Sequence, residues 1–273
     1  MKVREQQSAS PSVERGQRSR EQRREEMSER IVETALRVLG DEGFEAVTIQ
    51  RLAGELGCAV GALYRYFKSK DALLVAVLRR IMDRLSQDLQ LADKCVRELE
   101  ERSSRLGERV GSEVGKKSSV DGLRDPIDRV LLRVLIAGEV YVNSSMRHAR
   151  EFGLVSTLMG DPRELLATDD AAPLLPPMMR MLAELTRGFA DAIELGAMEP
   201  GSASARAVTY WSALQGILQL RKLGRFGASA LHWDQLAPDL ISGLLIGWGG
   251  ERARIRRLAP QANRIWNEIQ AAR

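Results

Sequence analysis

The chain has 273 residues, of which 44% are hydrophobic and 29% charged, as is ordinary for a soluble globular protein of one or two domains. Its net charge of +4 permits nucleic-acid binding without requiring it. No apolar run approaches the roughly 18 residues that cross a bilayer, and the amino terminus lacks the apolar segment of a signal peptide. The two cysteines, Cys58 and Cys95, form no metal-ligand pattern. These features predict a cytoplasmic protein without a membrane segment.

Residues 1–26 are rich in Arg, Glu, Gln and Ser and poor in large apolar side chains, which predicts a disordered arm. Within residues 1–24, seven Lys and Arg face three Glu, so this segment alone has a charge of +4. Two interpretations remain open. The arm is either a solvated tail or a segment whose arginines contact phosphate or the minor groove beside the domain that follows.

The stretch from Thr48 to Lys70 predicts two short helices joined by a turn. The first has apolar residues at spacings of three and four, a cap at Thr48 and an end at Gly57, where glycine permits a left-handed turn. The second runs from about Val60 to Phe67. Because Leu63 and Phe67 fill its inner face, Tyr66 is expected to be more exposed than Tyr64. This arrangement is typical of a helix-turn-helix, whose second helix enters a DNA major groove.

The run from Arg30 to Leu74 resembles the DNA-binding domain of TetR-type transcriptional regulators. The resemblance lies in an amphipathic helix over 28–43, in IQRLAGELG, and in GALYRYFKSKDALL. It implies an all-α protein, with a three-helix helix-turn-helix domain over 27–74 and a larger helical domain over 75–273 for effector binding and dimerisation.

The resemblance also implies which residues contact DNA. Those expected at phosphates are Thr48, Tyr64, Tyr66 and Lys70. Those expected to read bases are Gln50, Val60, Gly61, Ala62 and Arg65. Gln pairs with adenine and Arg with guanine, while Val60 and Ala62 offer methyl contacts that suit a thymine. Ala59 stands where the family has a capping Ser, a loss of about 1 kcal/mol at the start of the second helix.

The rest of the chain shows helical periodicity and no strand pattern. A flexible loop is predicted over 102–125, where Gly, Ser, Lys and Glu prevail. Helices are predicted over 71–99, 127–147, 178–195, 203–223 and 235–257, with shorter segments around 150–168 and a short helix over 261–271.

The apolar segment Ile241–Trp248 is the predicted dimerisation element. Its two glycines lie one turn apart and allow a close helix approach, although such a helix could equally be buried in its own monomer. The family's intersubunit four-helix bundle favours dimerisation. The residues assigned to the interface are Trp211, Leu214, Leu218, Ile241, Leu244, Leu245 and Trp248.

An unknown small hydrophobic effector is expected in the helical body, again by resemblance. The candidate lining residues are Tyr141, Asn143, Met146, Phe189 and Gln215. We predict no cofactor, no metal and no enzymatic activity, because two distant His and no ligand-spaced cluster leave no catalytic set.

Together these features predict a cytoplasmic, nucleoid-associated homodimer that represses transcription from a palindromic double-stranded operator and is released by its effector. Two alternatives remain: an architectural DNA-binding protein without a ligand, and a helical enzyme.

Overall fold

The computed structural model describes residues 11–109, 125–160, 171–220 and 233–271, and every regular element within them is helical. The chain divides into an amino-terminal unit, Met1–Arg80, and a carboxy-terminal unit, Ile81–Arg273. The prediction of an all-α protein with a small domain ahead of a larger helical one is confirmed. Within the described ranges, no helix has the length and apolarity that a membrane crossing needs.

The amino-terminal unit consists of three helices and the start of a fourth. Helices α1 (Pro11–Glu42), α2 (Ile49–Leu56) and α3 (Val60–Tyr64) precede α4 (Lys70–Arg109), and a 3₁₀ turn at Phe44–Ala46 joins α1 to α2. Their apolar stripes meet in one core, because residues three and four apart share a helix face. Its most buried members are Ile31, Ala35, Val38, Leu39, Leu52, Leu63, Leu73 and Val77.

Helix α1 begins much earlier than the sequence pattern indicated. Residues 11–26, predicted to be disordered, are helical, whereas residues 1–10 lie outside the described part of the chain. The disorder prediction fails here because it relied on missing apolar residues. Arg, Glu and Gln are strong helix formers in their own right, so a helix can form without a buried face.

The charged part of α1 points away from the end of the unit that carries Thr48 and Lys70. Lys70 lies 5.0 Å from the centre of the Phe44 ring, and Arg80 Nε lies 3.0 Å from Glu33 Oε1. Helices α1 and α4 therefore run in opposite directions. At 1.5 Å per residue, Arg20 is about 33 Å along α1 from its carboxyl end. This direction argues against a contact of the helical part of the arm with the DNA beside Thr48.

The carboxy-terminal unit is arranged around α5 (Pro126–Arg147), which begins at the predicted proline. Asp125 caps α5 through a 2.8 Å hydrogen bond from Ile127 N. The other elements are the rest of α4, α6 (Ala149–Gly160), a 3₁₀ turn (Ala172–Leu174), α7 (Leu175–Glu194), α8 (Ala203–Leu220), α9 (Trp233–Gly247) and α10 (Arg252–Ala271). Helix α5 packs against α6, α7, α8, α9 and α10, so its apolar residues form the centre of the core.

Two predicted boundaries in this unit need correction. The flexible loop predicted over 102–125 begins as helix, because α4 continues to Arg109, and residues 110–124 lie outside the described ranges. The single helix predicted over 235–257 is two helices. Gly249 has a φ of 92°, and the turn is fixed by a 2.9 Å hydrogen bond from Glu199 N to Trp248 O. Helix α10 then passes through Pro260 without ending there.

Close approach of three helices at Gly138 gives a first testable prediction. A Cβ at this position would lie 2.2 Å from Tyr210 Oη and 2.6 Å from Ile241 Cδ1. Alanine favours a helix by about 1 kcal/mol over glycine, but overpacking a core costs about 1–3 kcal/mol. We expect Gly138→Ala to lower the free energy of unfolding by about 1 kcal/mol in urea titrations followed by tryptophan fluorescence. All four tryptophans lie in the carboxy-terminal unit and report on it.

Gly153 in α6 provides the matched control for that substitution. It is exposed, and a Cβ there would meet nothing within 4 Å. Gly153→Ala should therefore stabilise the unit slightly through helix propensity alone. Equal urea midpoints for the two variants would contradict the packing argument.

Candidate functional site

Helix α2 begins with the predicted capping residue. Thr48 is extended, with φ −125° and ψ 152°, and its Oγ1 accepts a hydrogen bond from Arg51 N at 3.2 Å. The adjacent Gln50 is exposed. Free N–H groups at the start of a helix attract anions, so this end of α2 suits a phosphate.

The turn after α2 follows the prediction, while α3 is shorter than predicted. Gly57 adopts the left-handed conformation, with φ 63° and ψ 33°. Helix α3 ends at Tyr64 and not at Phe67, and no side chain caps it at Ala59. A five-residue helix with an uncapped start has little stability of its own, so its shape depends on the packing of Leu63 beneath it.

The outer face of α3 carries Val60, Gly61, Tyr64 and Arg65, all exposed, with Ala62 half-buried beside them. Tyr64 is 48% exposed and Tyr66 is half-buried, which reverses the predicted order of the two tyrosines. The chain keeps a helical turn beyond Tyr64, since Phe67 N donates to Leu63 O at 3.0 Å, and Leu63 and Phe67 are both buried as predicted.

Helix α4 supplies a second helix start at the same end of the unit. Ser69 Oγ accepts a 3.0 Å hydrogen bond from Ala72 N, a cap that the sequence reading overlooked although a Ser before Asp71 is a usual signal. Lys70 Nζ lies over the Phe44 ring, which holds its charge near the connection between α1 and α2.

The arginines of this unit fall into two groups. Arg51 donates to Glu42 at 2.7 Å and to Glu55, and Arg37 also donates to Glu55. Hydrogen bonds donated by Arg37 and Arg51 lower the pKa of the Glu55 carboxyl. The bonds that Arg51 donates to Glu42 and Glu55 raise the pKa of its own guanidinium. These residues fasten α1 to α2. Arg65, in contrast, has no side-chain partner within the described ranges and is exposed to solvent.

Helix α2, the left-handed turn and the exposed α3 together form a helix-turn-helix of the DNA-binding class. The model of the family described as "Bacterial regulatory proteins, tetR family" matches residues 31–77. Residues 31–77 therefore match the TetR family, and the resemblance found in the sequence is confirmed for this part of the chain.

Curated relatives match over a short part of the chain. The chain is 49% identical over 51 residues to the "Uncharacterized HTH-type transcriptional regulator YerO" of Bacillus subtilis, covering 19% of this chain and 18% of that protein. It is 38% identical over 76 residues to the "HTH-type transcriptional regulator BetI" of Rhizobium meliloti, covering 28% of this chain and 37% of that protein. The matched segments thus span well under half the length of these relatives.

Solved structures are similar over most of the chain. A protein of unknown function from Rhodococcus sp. RHA1 has a TM-score of 0.55 at 18% identity, covering 81% of this chain and 95% of that one. RolR, in a complex described with resorcinol, has a TM-score of 0.55 at 18% identity, covering 87% of this chain and 95% of that one. At such low identity the likeness establishes a shared fold.

The carboxy-terminal unit contains a second candidate site, a hydrogen-bonded group beside a narrow pocket. Tyr141 Oη donates to Gln215 Oε1 and accepts from Trp211 Nε1 at 3.1 Å, and Gln215 Nε2 donates to Ser156 Oγ at 2.8 Å. Burial raises the pKa of Tyr141, so its hydroxyl stays protonated. The adjoining pocket is small, with a cavity volume of about 10 Å³, room for about one water molecule. It is lined by Leu89, Ala137, Tyr141, Met181, Leu185, Tyr210, Trp211 and Leu214.

Of the five predicted effector residues, only Tyr141 lines this pocket, and Gln215, Asn143, Met146 and Phe189 do not. Met146 is 48% exposed, Asn143 donates to the Glu139 carbonyl at 2.9 Å, and Phe189 packs between Tyr210 and Trp248. Tyr141 and Gln215 are brought together as a bonded pair. Leu89, Met181 and Leu185 were not predicted to line a pocket. Their sequence pattern is that of ordinary core residues, and only the packing of α4 and α7 against α5 brings them together.

The predicted dimer residues mostly face the core of their own unit. Leu214, Ile241 and Leu245 are buried, Trp211 and Trp248 contact Tyr141 and Phe189, and Leu218 and Leu244 are half-buried. The three buried leucine and isoleucine side chains lie in the core of their own unit, and the interface itself stays a prediction. The exposed side of α8 is instead a band of small uncharged residues, Ala205, Val208, Thr209, Ser212 and Gly216. We call this band the outer face of α8.

Proposed function

We propose that this protein is a DNA-binding transcriptional regulator that represses from a palindromic operator as a homodimer and is released by a small apolar effector. The observation that carries the proposal is the exposed face of α3, held between the capped starts of α2 and α4 in a TetR-family domain. One such DNA-binding domain contacts about half of an operator. A dimer with twofold symmetry therefore matches a palindromic operator. The work of such a regulator is at double-stranded DNA in the cytoplasm, associated with the nucleoid.

The residues of the DNA-binding unit divide between two roles in this proposal. Thr48, Tyr64, Tyr66 and Lys70 hold phosphates, since helix starts, hydroxyls and an ammonium group position a protein without reading sequence. The base-reading residues are Gln50, Val60, Gly61, Ala62 and Arg65. The exposed methyl groups of Val60 and the bare backbone of Gly61 allow a close approach to the groove floor.

The effector part of the proposal is supported by the descriptions of two fold neighbours. RolR is described with bound resorcinol, and a further neighbour with a TM-score of 0.51 is described as the fatty acid degradation regulator FadR of Bacillus halodurans. The first description names a bound small molecule, and the second names fatty acid degradation as the regulated process.

A gel-shift titration tests the function directly. The full chain should bind the DNA upstream of its own gene more tightly than random duplex of equal length. Affinity should fall steeply with salt, because neutralised phosphates release counterions. Equal affinity for both duplexes would exclude sequence-specific regulation at that site.

Arg65→Ala should weaken binding to the cognate operator by about 1–3 kcal/mol and relax the preference at one base pair in each half-site. The reason is that a bidentate contact with guanine O6 and N7 would be lost. Competition gel shifts with single-base operator variants measure this effect. Arg256→Ala, an exposed arginine on α10, is the matched control and should leave affinity unchanged. An unaltered base preference in the Arg65 variant would remove it from the reading set.

A further inference from the structure

Helix α10 is held on α5 by a row of polar contacts beside their shared core. Near the start of α10, Arg254 and Arg257 donate to Asp128 at 2.7 and 2.6 Å. Near its end, Gln270 accepts from Arg147 at 2.5 Å. The buried apolar residues of α10 belong to the same core as those of α5; they are Ile255, Leu258, Ala262, Ile265 and Trp266.

The contact in the middle of this row has a different chemistry, because it contains a buried carboxyl without a cation. Glu139 of α5 is only 8% exposed. Its Oε2 accepts from Asn263 Nδ2 at 2.8 Å and from Asn143 Nδ2 at 3.4 Å. Among the residues that the structure describes, no Lys, Arg or His forms an ion pair with it. Amide donors supply hydrogen bonds to a carboxyl but do not balance a negative charge.

The groups that face Glu139 from the neighbouring helices are uncharged. Burial and the nearby Glu139 carboxyl raise the pKa of Tyr210 on α8, so its hydroxyl stays protonated, and it donates to Val134 O at 3.1 Å. The Ile241 side chain of α9 approaches the adjacent Gly138. The arginines at the two ends of the row donate to other side chains. A charge on Glu139 therefore lies in a place where no described group compensates it.

We infer that the contact between Glu139 and Asn263 is proton-linked, so that α10 is held on α5 most firmly when the Glu139 carboxyl carries a proton. A protonated carboxyl still accepts from Asn263 and has no charge to desolvate. A deprotonated carboxyl brings an uncompensated charge into the interface, which favours an opened α10 that lets water reach it.

The direction of the pH effect follows from the burial of this group. Burial raises the pKa of the Glu139 carboxyl, and the hydrogen bond from Asn263 lowers it by a smaller amount. The folded state therefore binds the proton more tightly than the unfolded chain does. The stabilisation is complete below the usual pKa of a glutamate and is lost as the pH rises through the raised value. Alkaline conditions should loosen α10.

Urea unfolding of the full chain at about pH 5 and about pH 8 tests this inference, with Glu139→Gln as the first variant. Glutamine keeps the shape, and its carbonyl oxygen accepts from Asn263, but it carries no charge. The wild-type midpoint should fall more between the two pH values than that of the variant, and the variant should be the more stable protein at the higher pH. Glu268→Gln, at an exposed position of α10, is the matched control and should behave as the wild type.

Limited digestion with trypsin under native conditions shows whether α10 itself opens. Arg256 and Arg264 are exposed cleavage sites on α10, and the mass of the fragments distinguishes them. Cleavage of a transiently opened segment follows the population of the open form. At about pH 8 we expect slower cleavage at both sites in Glu139→Gln than in the wild type. Glu268→Gln should be cleaved at the wild-type rate.

Asn263→Asp provides a second test that does not depend on the stability of Glu139→Gln. It places two carboxyls in contact, which favours a proton on one of them. Its urea midpoint should fall more steeply with rising pH than that of the wild type. Equal pH dependence of the wild type and Glu139→Gln, a lower midpoint of Glu139→Gln at the higher pH, or an unchanged slope in Asn263→Asp would each overturn the inference.

Discussion

Val208→Glu is expected to convert the proposed dimer into monomers and to lower operator affinity about 100-fold or more. Val208 is 47% exposed at the centre of the outer face of α8, and no charged residue occurs on this helix from Ala207 to Leu220. A carboxylate buried between two copies would lack a partner. The free energy lost by desolvating it exceeds the stabilisation that the apolar contact of Val208 supplies. A monomer also loses the avidity of two linked heads, which amounts to about 10²–10⁴ in affinity.

Light scattering and the operator gel shift measure the two effects of Val208→Glu on one sample. Ala190→Glu places the same charge on an exposed position of α7 and serves as the control, with mass and affinity unchanged. A Val208→Glu protein that remains a dimer would show that the outer face of α8 is not the interface. Gly243 and Gly247, both exposed on α9, would then be the next positions to test.

The helix-turn-helix could be predicted from the sequence because its signals are local. A threonine cap, a glycine in the left-handed turn and apolar residues at helical spacing act within a few residues of one another, and the structure has all three. What local signals missed was where α3 ends. Helix α3 ends at Tyr64, and Tyr64 is exposed whereas Tyr66 is half-buried, which the spacing of apolar residues did not predict.

Periodicity could not separate core from interface in α8 and α9. Both helices have apolar or small residues on more than one face, so the sequence offers two stripes and no sign of which one meets a partner. The structure places Leu214, Ile241 and Leu245 inside their own unit, leaving Val208 and its small neighbours outside. The alternative of burial within the monomer was the correct one for these three residues.

The pocket could not be predicted from the sequence for a different reason. Its walls come from α4, α5, α7 and α8, so residues more than a hundred positions apart become neighbours. Tyr141 and Gln215 could be suspected as polar residues in apolar helices. Nothing in the pattern indicated that Trp211 would donate a hydrogen bond to Tyr141. Nor did it indicate that Phe189 would pack against Tyr210 in the core.

Phe189→Ala is expected to destabilise the carboxy-terminal unit by about 3–5 kcal/mol, the usual cost of truncating a buried aromatic side chain. Phe189 is 0% exposed, and its ring lies 5.6 Å from Tyr210 and 5.3 Å from Trp248, edge to face with both. Loss of these two ring contacts adds to the destabilisation caused by the cavity that alanine leaves. Urea unfolding followed by tryptophan fluorescence measures the change, because every tryptophan lies in this unit.

Met179→Ala on the same helix is the matched control for Phe189→Ala, since Met179 is exposed and its removal should change stability by less than about 0.5 kcal/mol. Phe189→Leu should recover most of the loss, because it restores apolar volume without a ring. If Phe189 were an effector contact, truncation would weaken ligand binding and cost little stability. A loss below about 1 kcal/mol would show that Phe189 contributes little to the core.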